Sequence, residues 1–69
     1  MVRTEFQRAR LAANKTQREL GNDCNVTENY IRQVENGRRD PSGKIMLRIA
    51  KVLERPPEVI FSDLLDDLN

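Results

Sequence analysis

Apolar residues recur along this chain at the three- and four-residue spacing of amphipathic α-helices. The first such run places Val2, Phe6, Ala9 and Ala13 on one face and predicts a helix over residues 3–13. No run alternates between apolar and polar residues with a period of two, so the sequence contains no convincing strand. The pattern therefore predicts an all-α fold.

The stretch from Thr16 to Gly37 predicts two short helices joined by a tight turn. Thr16 and Glu19 have the spacing of a capping box, which marks the start of the first of these helices. Asn25 should end it, because asparagine tolerates the left-handed C-terminal conformation better than most residues that carry a side chain. Thr27 then caps the next helix, and two helices joined in this way make a helix-turn-helix.

The second helix of this pair has an apolar side and a polar side. Ile31 and Val34 are three residues apart and form a narrow inward stripe. Solvated polar faces are common on small helical domains, so the opposite side would not by itself indicate a binding function. That side carries Glu28, Asn29, Arg32 and Gln33.

Two further helices are predicted after a short loop at residues 38–43, which proline and glycine interrupt. Ser42 can cap the fourth helix. Pro56-Pro57 ends that helix and begins a fifth, because proline is accepted at a helix's first position. The buried stripe of the fourth helix consists of Ile45, Met46, Ile49, Val52 and Leu53.

Residues 16–37 resemble the helix-turn-helix of the Cro and phage-repressor family, often called XRE, and the resemblance extends over residues 2–61. It implies a compact five-helix bundle of the lambda-repressor-like type, with the helix-turn-helix at helices 2 and 3. Such domains bind operator DNA, usually as homodimers. The matching positions are Thr16, Gln17, Glu19, Leu20, Val26, Thr27, Ile31, Val34, Glu35, Asn36 and Gly37, with Pro41, Ser42, Ile49, Ala50 and Leu53 downstream.

The polar side of helix 3 supplies the groups that major-groove recognition requires, because each base pair presents its own donors, acceptors and methyl groups there. The resemblance implies base contacts at the positions of Glu28, Asn29 and Gln33, and in some members at Arg32. Asn29 or Gln33 could pair with adenine, while Arg32 could bind guanine. Glu28 could accept from cytosine. The predicted base-reading residues are Thr27, Glu28, Asn29, Arg32 and Gln33.

Other residues are expected to hold the DNA backbone without reading its sequence. The first turn of helix 2 offers backbone N–H groups and a positive dipole to a phosphate. The resemblance implies phosphate contacts at Gln17 and Asn36. Tyr30 either donates its hydroxyl to a phosphate or packs along the rim of the groove. The predicted set is Thr16, Gln17, Tyr30, Asn36, Arg38, Arg39 and Lys44.

The resemblance also implies a partly buried ion pair between Arg10 and Glu35, which would tie helix 1 to helix 3. Two independent surface charges are the alternative. Elsewhere Glu54 and Arg55 replace the family's usual Gly-Val, which leaves the geometry of that connection open. Cys24 is expected to be a small core residue, because no base or cluster of cations is placed beside it.

The last predicted helix, residues 57–69, carries an apolar row that runs past the point where the family's core normally closes. An exposed leucine row on so small a domain favours a partner, so we interpret this segment as a dimerisation helix. The alternatives are a tail folded back on its own core and a frayed end. The predicted interface consists of Ile60, Phe61, Leu64, Leu65 and Leu68.

Composition narrows the classes of function. With 69 residues the chain should form one domain, and one cysteine with no histidine leaves neither a disulfide nor a zinc cluster. No glycine-rich phosphate loop follows a strand, so we expect no enzyme, no cofactor and no small-molecule ligand. No apolar run approaches the ~20 residues that span a bilayer, and no signal peptide is visible. We therefore expect a cytoplasmic, nucleoid-associated protein without a membrane partner.

The net charge of +1 conceals an asymmetry. Residues 1–55 carry a net charge of +5, whereas residues 56–69 carry −4 and contain no basic residue. A basic body suits a polyanion, and its acidic end should point away from phosphates.

The leading hypothesis is a sequence-specific transcriptional regulator, a repressor of phage, plasmid or other mobile-element genes in bacteria or phage. A homodimer would set two recognition helices about one DNA turn apart, ~34 Å, on pseudo-palindromic double-stranded operator DNA. One alternative is the antitoxin of a toxin–antitoxin pair, which would bind a protein partner as well as DNA. The controller protein of a restriction–modification system is another.

Overall fold

The computed structural model describes residues 1–65, which contain six helices and no strand. This confirms the predicted all-α class. Helix 2 packs against helices 3 and 4, and the fifth helix closes the bundle against helices 1 and 4. The helices are α1 (Thr4–Ala12), α2 (Gln17–Cys24), α3 (Glu28–Glu35), α4 (Gly43–Leu53), α5 (Pro57–Ile60) and α6 (Ser62–Leu65).

Side-chain caps set the beginnings of the three central helices. The Thr16 hydroxyl accepts from the Glu19 N–H at 3.0 Å, and the Glu19 carboxylate accepts from the Thr16 N–H at 2.9 Å. Thr27 caps α3 by accepting from the Tyr30 N–H at 3.0 Å. Ser42 caps α4 in the same way. Each of these caps was predicted from sequence, and each prediction is confirmed.

Two of the helices end at a non-glycine residue whose backbone adopts the left-handed conformation. Asn25 closes α2 with φ of 61°, as predicted, and Asn14 adopts φ of 58° just beyond α1. Glu54 closes α4 with φ of 56°. The family's glycine is replaced here, yet the chain keeps the glycine-like backbone and accepts the steric cost of a Cβ atom in the left-handed region.

The predicted fifth helix is divided into two short helices at Phe61. This residue leaves the helical region, with φ of −116° and ψ of 41°, while its N–H still donates to the Pro57 carbonyl at 2.8 Å. Its ring is fully buried and packs against the ring of Phe6 in a T-shaped, edge-to-face arrangement, with the ring centroids 5.8 Å apart. The helix breaks because the backbone turns to bring this ring into the core, where an aromatic pair is favourable.

The core fixes the position of the C-terminal segment. Ile60 and Phe61 are 1% and 0% exposed within the chain's own core, so the prediction that these two residues form a dimer interface is wrong. A side chain already enclosed by its own chain has no apolar surface left for a partner. Leu64 and Leu65 are half-buried and pack against the core from outside, whereas Leu68 lies outside the described residues.

No helix among residues 1–65 is both long enough and apolar enough to cross a bilayer.

Replacing Glu54 by glycine should stabilise the fold by about 1 kcal/mol, because glycine adopts a positive φ without the steric penalty of a Cβ atom. A urea titration would show the gain as a higher midpoint at an unchanged slope. Glu54→Ala is the matched control, since it removes the carboxylate but keeps the Cβ atom, and it should give no gain. Equal gains in the two variants would show that the Glu54 side chain, and not its backbone, limits stability.

Candidate nucleic-acid interface

The orientation of α3 is fixed by its apolar side. Ile31 and Val34 are fully buried, so the opposite side of the helix faces outward. The turn before α3 packs closely on α2, because a Cβ atom on Gly21 would lie 2.9 Å from the Val26 carbonyl oxygen. A glycine at this position lets the backbone of the turn approach α2, at the cost of some helix propensity.

The outward side of α3 brings the predicted base-reading residues together. Glu28 and Arg32 form an ion pair across one helical turn, with Arg32 Nη2 3.0 Å from Glu28 Oε2. Both side chains are about half exposed, and such exposed pairs contribute little to stability. Thr27 and Asn29 are exposed beside them, and Gln33 is half-buried at the far end. The helix thus offers carboxylate, guanidinium and amide groups on one face.

Arg39, in the loop after α3, folds back onto that helix. Its Nε donates to Gln33 Oε1 at 3.0 Å, and its guanidinium carbon lies 5.1 Å from the centroid of the Tyr30 ring. This distance is that of a cation–π contact. The structure therefore joins three residues that the sequence assigned separately, one as a base reader and two as phosphate contacts.

The remaining predicted phosphate contacts lie at helix ends and in the loop that follows α3. Thr16 is exposed and Gln17 half-buried at the start of α2, where backbone N–H groups point outward. The backbone N–H and hydroxyl of Thr16 also lower the pKa of Glu19, because both favour its carboxylate form. Asn36 is half-buried and caps the C-terminal end of α3. Arg38 and Lys44 are exposed.

Arg10 and Glu35 meet in a buried, two-pronged ion pair. Arg10 Nε lies 2.7 Å from Glu35 Oε1, and Nη2 lies 3.1 Å from Oε2. The side chains are only 11% and 4% exposed. The third guanidinium nitrogen donates to the Lys15 carbonyl at 2.9 Å. One arginine on α1 therefore holds both the last residue of α3 and the turn that leads into α2.

Arg3 is a structural residue that sequence reasoning missed. It is 5% exposed, and its guanidinium bonds to Asp40 at 2.7 Å and to Asp63 at 3.0 Å. It also donates to the carbonyl oxygens of Val34 and Arg39. These partners are 31 to 60 residues away in the chain, so no local pattern could have indicated them.

Cys24 is fully buried, as expected for a core residue. Burial raises the pKa of its thiol, because the apolar surroundings disfavour the thiolate. A protonated, enclosed thiol is a poor nucleophile. Within residues 1–65, no group of three or more side chains is placed to hold a metal ion.

Comparison with known proteins gives the family. A family model described as helix-turn-helix matches residues 6–60, most of the chain. The chain belongs to the XRE/Cro-type helix-turn-helix family. Members of this family are DNA-binding transcription regulators, and the helical bundle described above has their lambda-repressor-like fold.

Two relatives from different strains of Mycobacterium tuberculosis, each named transcriptional regulator ClgR, are similar to this chain. Each is 31% identical over 55 residues, which is 80% of this chain and 49% of the relative. The chain thus spans about half the length of the curated relatives it matches.

Replacing Arg10 by methionine should destabilise the fold by about 3–5 kcal/mol, because the carboxylate of Glu35 would be left buried without its cation. Arg8→Met is the matched control on the same helix. Arg8 pairs with Glu5 on the surface, where both side chains are well exposed, and its loss should change stability by less than about 0.5 kcal/mol. Urea titration of both variants measures the difference. Similar losses of unfolding free energy in the two variants would show that the buried ion pair contributes no more to stability than the exposed one.

Proposed function

We propose that this chain is the DNA-reading part of a transcription regulator and that α3 enters the major groove of an operator. One observation carries the proposal. The side of α3 that contains Ile31 and Val34 is fully buried, whereas the other side presents hydrogen-bonding groups outward. An α-helix fits the major groove of B-DNA, where such groups can match the edges of the bases.

The proposed base readers are Thr27, Glu28, Asn29, Arg32 and Gln33. Asn29 is exposed near the N-terminal end of α3, which is the end that reaches base edges in helix-turn-helix proteins. Glu28 and Arg32 form an ion pair with each other in the protein without DNA. Because their exposed pairing is weak, exchanging it for contacts to bases costs little.

The backbone of the DNA would be held from both sides of α3. The start of α2 offers N–H groups at Gln17 and the positive end of the helix dipole. Arg38, Arg39 and Lys44 lie between the end of α3 and the first turn of α4, where their positive charges can meet phosphates. Such contacts set the register of α3 on the duplex but carry no sequence information themselves.

We further propose that the protein acts as a homodimer on a pseudo-palindromic operator and represses genes of phage, plasmid or other mobile-element origin. One recognition helix reads only a few base pairs, and twofold pairing doubles the site. With Ile60 and Phe61 enclosed in the core, the interface proposed for the C-terminal segment rests on Leu64 and Leu65. A single domain spanning residues 1–69 would then carry its own dimer contact.

Selection of binding sites from random duplex DNA should yield a pseudo-palindrome whose half-sites are centred about one helical turn apart, ~34 Å. Gln33→Ala should relax the preference at one base pair of each half-site by about 1–3 kcal/mol. Arg38→Ala is the control, because removing a phosphate contact should weaken all sites alike and reduce the salt dependence of binding. Affinity that does not depend on sequence would contradict the proposed function, and a single unrepeated half-site bound at a stoichiometry of one would contradict the dimer.

Leu65→Gln should weaken self-association, because it places an amide in the proposed apolar contact. Sedimentation equilibrium over a range of protein concentrations would measure the change. Leu47→Gln is the control, since Leu47 is 63% exposed and belongs to α4, outside the C-terminal segment that carries the proposed contact. Dissociation of the Leu47 variant alone would place the interface on α4 instead.

A further inference from the structure

Arg39 holds Gln33 in one orientation. The Nε of Arg39 lies 3.0 Å from the Oε1 atom of Gln33. An arginine side chain has only donors, so the Gln33 atom that faces it must be the amide oxygen and not the amide nitrogen. The contact therefore fixes which end of the amide is turned toward the loop and which end is left for DNA.

Two features keep Arg39 in place for this contact. Its guanidinium lies over the ring of Tyr30, which is itself half-buried against the core. Its backbone is held as well, because the Arg39 carbonyl accepts from the buried guanidinium of Arg3 at 2.9 Å. Arg39 is thus held at its backbone carbonyl and at its guanidinium in the absence of DNA.

The orientation changes what Gln33 can recognise. Glutamine reads adenine by accepting from N6 and donating to N7, which requires its oxygen and nitrogen to face the base together. Oε1 already accepts a hydrogen bond from Arg39, whereas the amide NH₂ keeps its donors for the base, and the guanidinium of Arg39 adds further donors on the same side chain pair. Together these groups form a surface of donors.

We infer that Arg39 and Gln33 act as one donor unit that selects guanine over adenine at the base pair facing Gln33. Guanine presents two acceptors, N7 and O6, to the major groove, whereas adenine presents an N6 amino group that would face donors. Arg39 is a positioning residue in this scheme, in addition to any contact it makes with phosphate. The inference rests on the proposed function, since it concerns a base that α3 reads.

Binding-site selection with four proteins tests the inference: the unchanged chain, Gln33→Ala, Arg39→Ala and Arg38→Ala. The position that loses its preference in Gln33→Ala is the base pair facing Gln33. There the unchanged chain should prefer guanine over adenine by roughly tenfold, the size of one good base contact. Arg39→Ala should reduce this ratio to about one or below, because the freed amide can then pair with adenine.

Arg38→Ala is the matched control, because it removes the same charge from the same loop. Arg38 is exposed, and within residues 1–65 its side chain makes no hydrogen bond to α3. This variant should lose affinity for every site while keeping the ratio of guanine to adenine.

Two outcomes would overturn the inference alone: a preference of the unchanged chain for adenine at that position, or an unchanged ratio in Arg39→Ala. Failure of the unchanged chain to enrich any sequence would overturn the proposed function and the inference with it.

Discussion

A buried carboxylate must be paired, and that requirement at Glu35 governs the placement of α3. The side chain is 4% exposed, and an isolated charge there would be costly. Two nitrogens of Arg10 meet its two oxygens, so the pair is satisfied only when α1 and the end of α3 keep one relative position. The apolar stripe of α3 provides the driving force for burial, but apolar contacts are not directional. The ion pair supplies the direction, and with it the angle at which the polar side of α3 faces outward.

Arg3 extends this control from the helix to the loop that follows it. Its guanidinium reaches Asp40 and the carbonyl of Arg39 on one side and Asp63 on the other. A single buried cation thereby joins the loop proposed to meet phosphates to the C-terminal segment proposed to meet a second copy. Phosphate binding and dimerisation are different steps of DNA recognition, yet the segments proposed for both are hydrogen-bonded to the side chain of Arg3. Movement of α6 would withdraw one of the groups that hold the loop beside α3.

Much of the fold was predictable because it depends on interactions between residues close together in the sequence. The features that were missed depend on contacts between residues far apart in the sequence. Thr16, Asn25 and Thr27 act through bonds to residues within four positions, so their roles can be read along the chain. The break at Phe61 could not be, because the helical spacing of apolar residues continues through it. Its cause is the ring of Phe6, 55 positions earlier. For the candidate site, the sequence indicated which side of α3 is polar, but the partners of those side chains depend on how the loop folds back.

The same distinction applies to charge. The sequence gives residues 1–55 a strong excess of cations, but position decides which of them can face a polyanion. Arg3 and Arg10 are themselves buried and paired with acids of the same chain, and Arg32 is paired with Glu28 on the surface. Because the salt dependence of DNA binding counts phosphates neutralised and not total charge, it should reflect the loop cations far more than the composition. Asp63, one of the acids in the C-terminal segment, has a structural role as well as a negative charge. It pairs with Arg3, and Arg3 in turn bonds to the loop that follows α3.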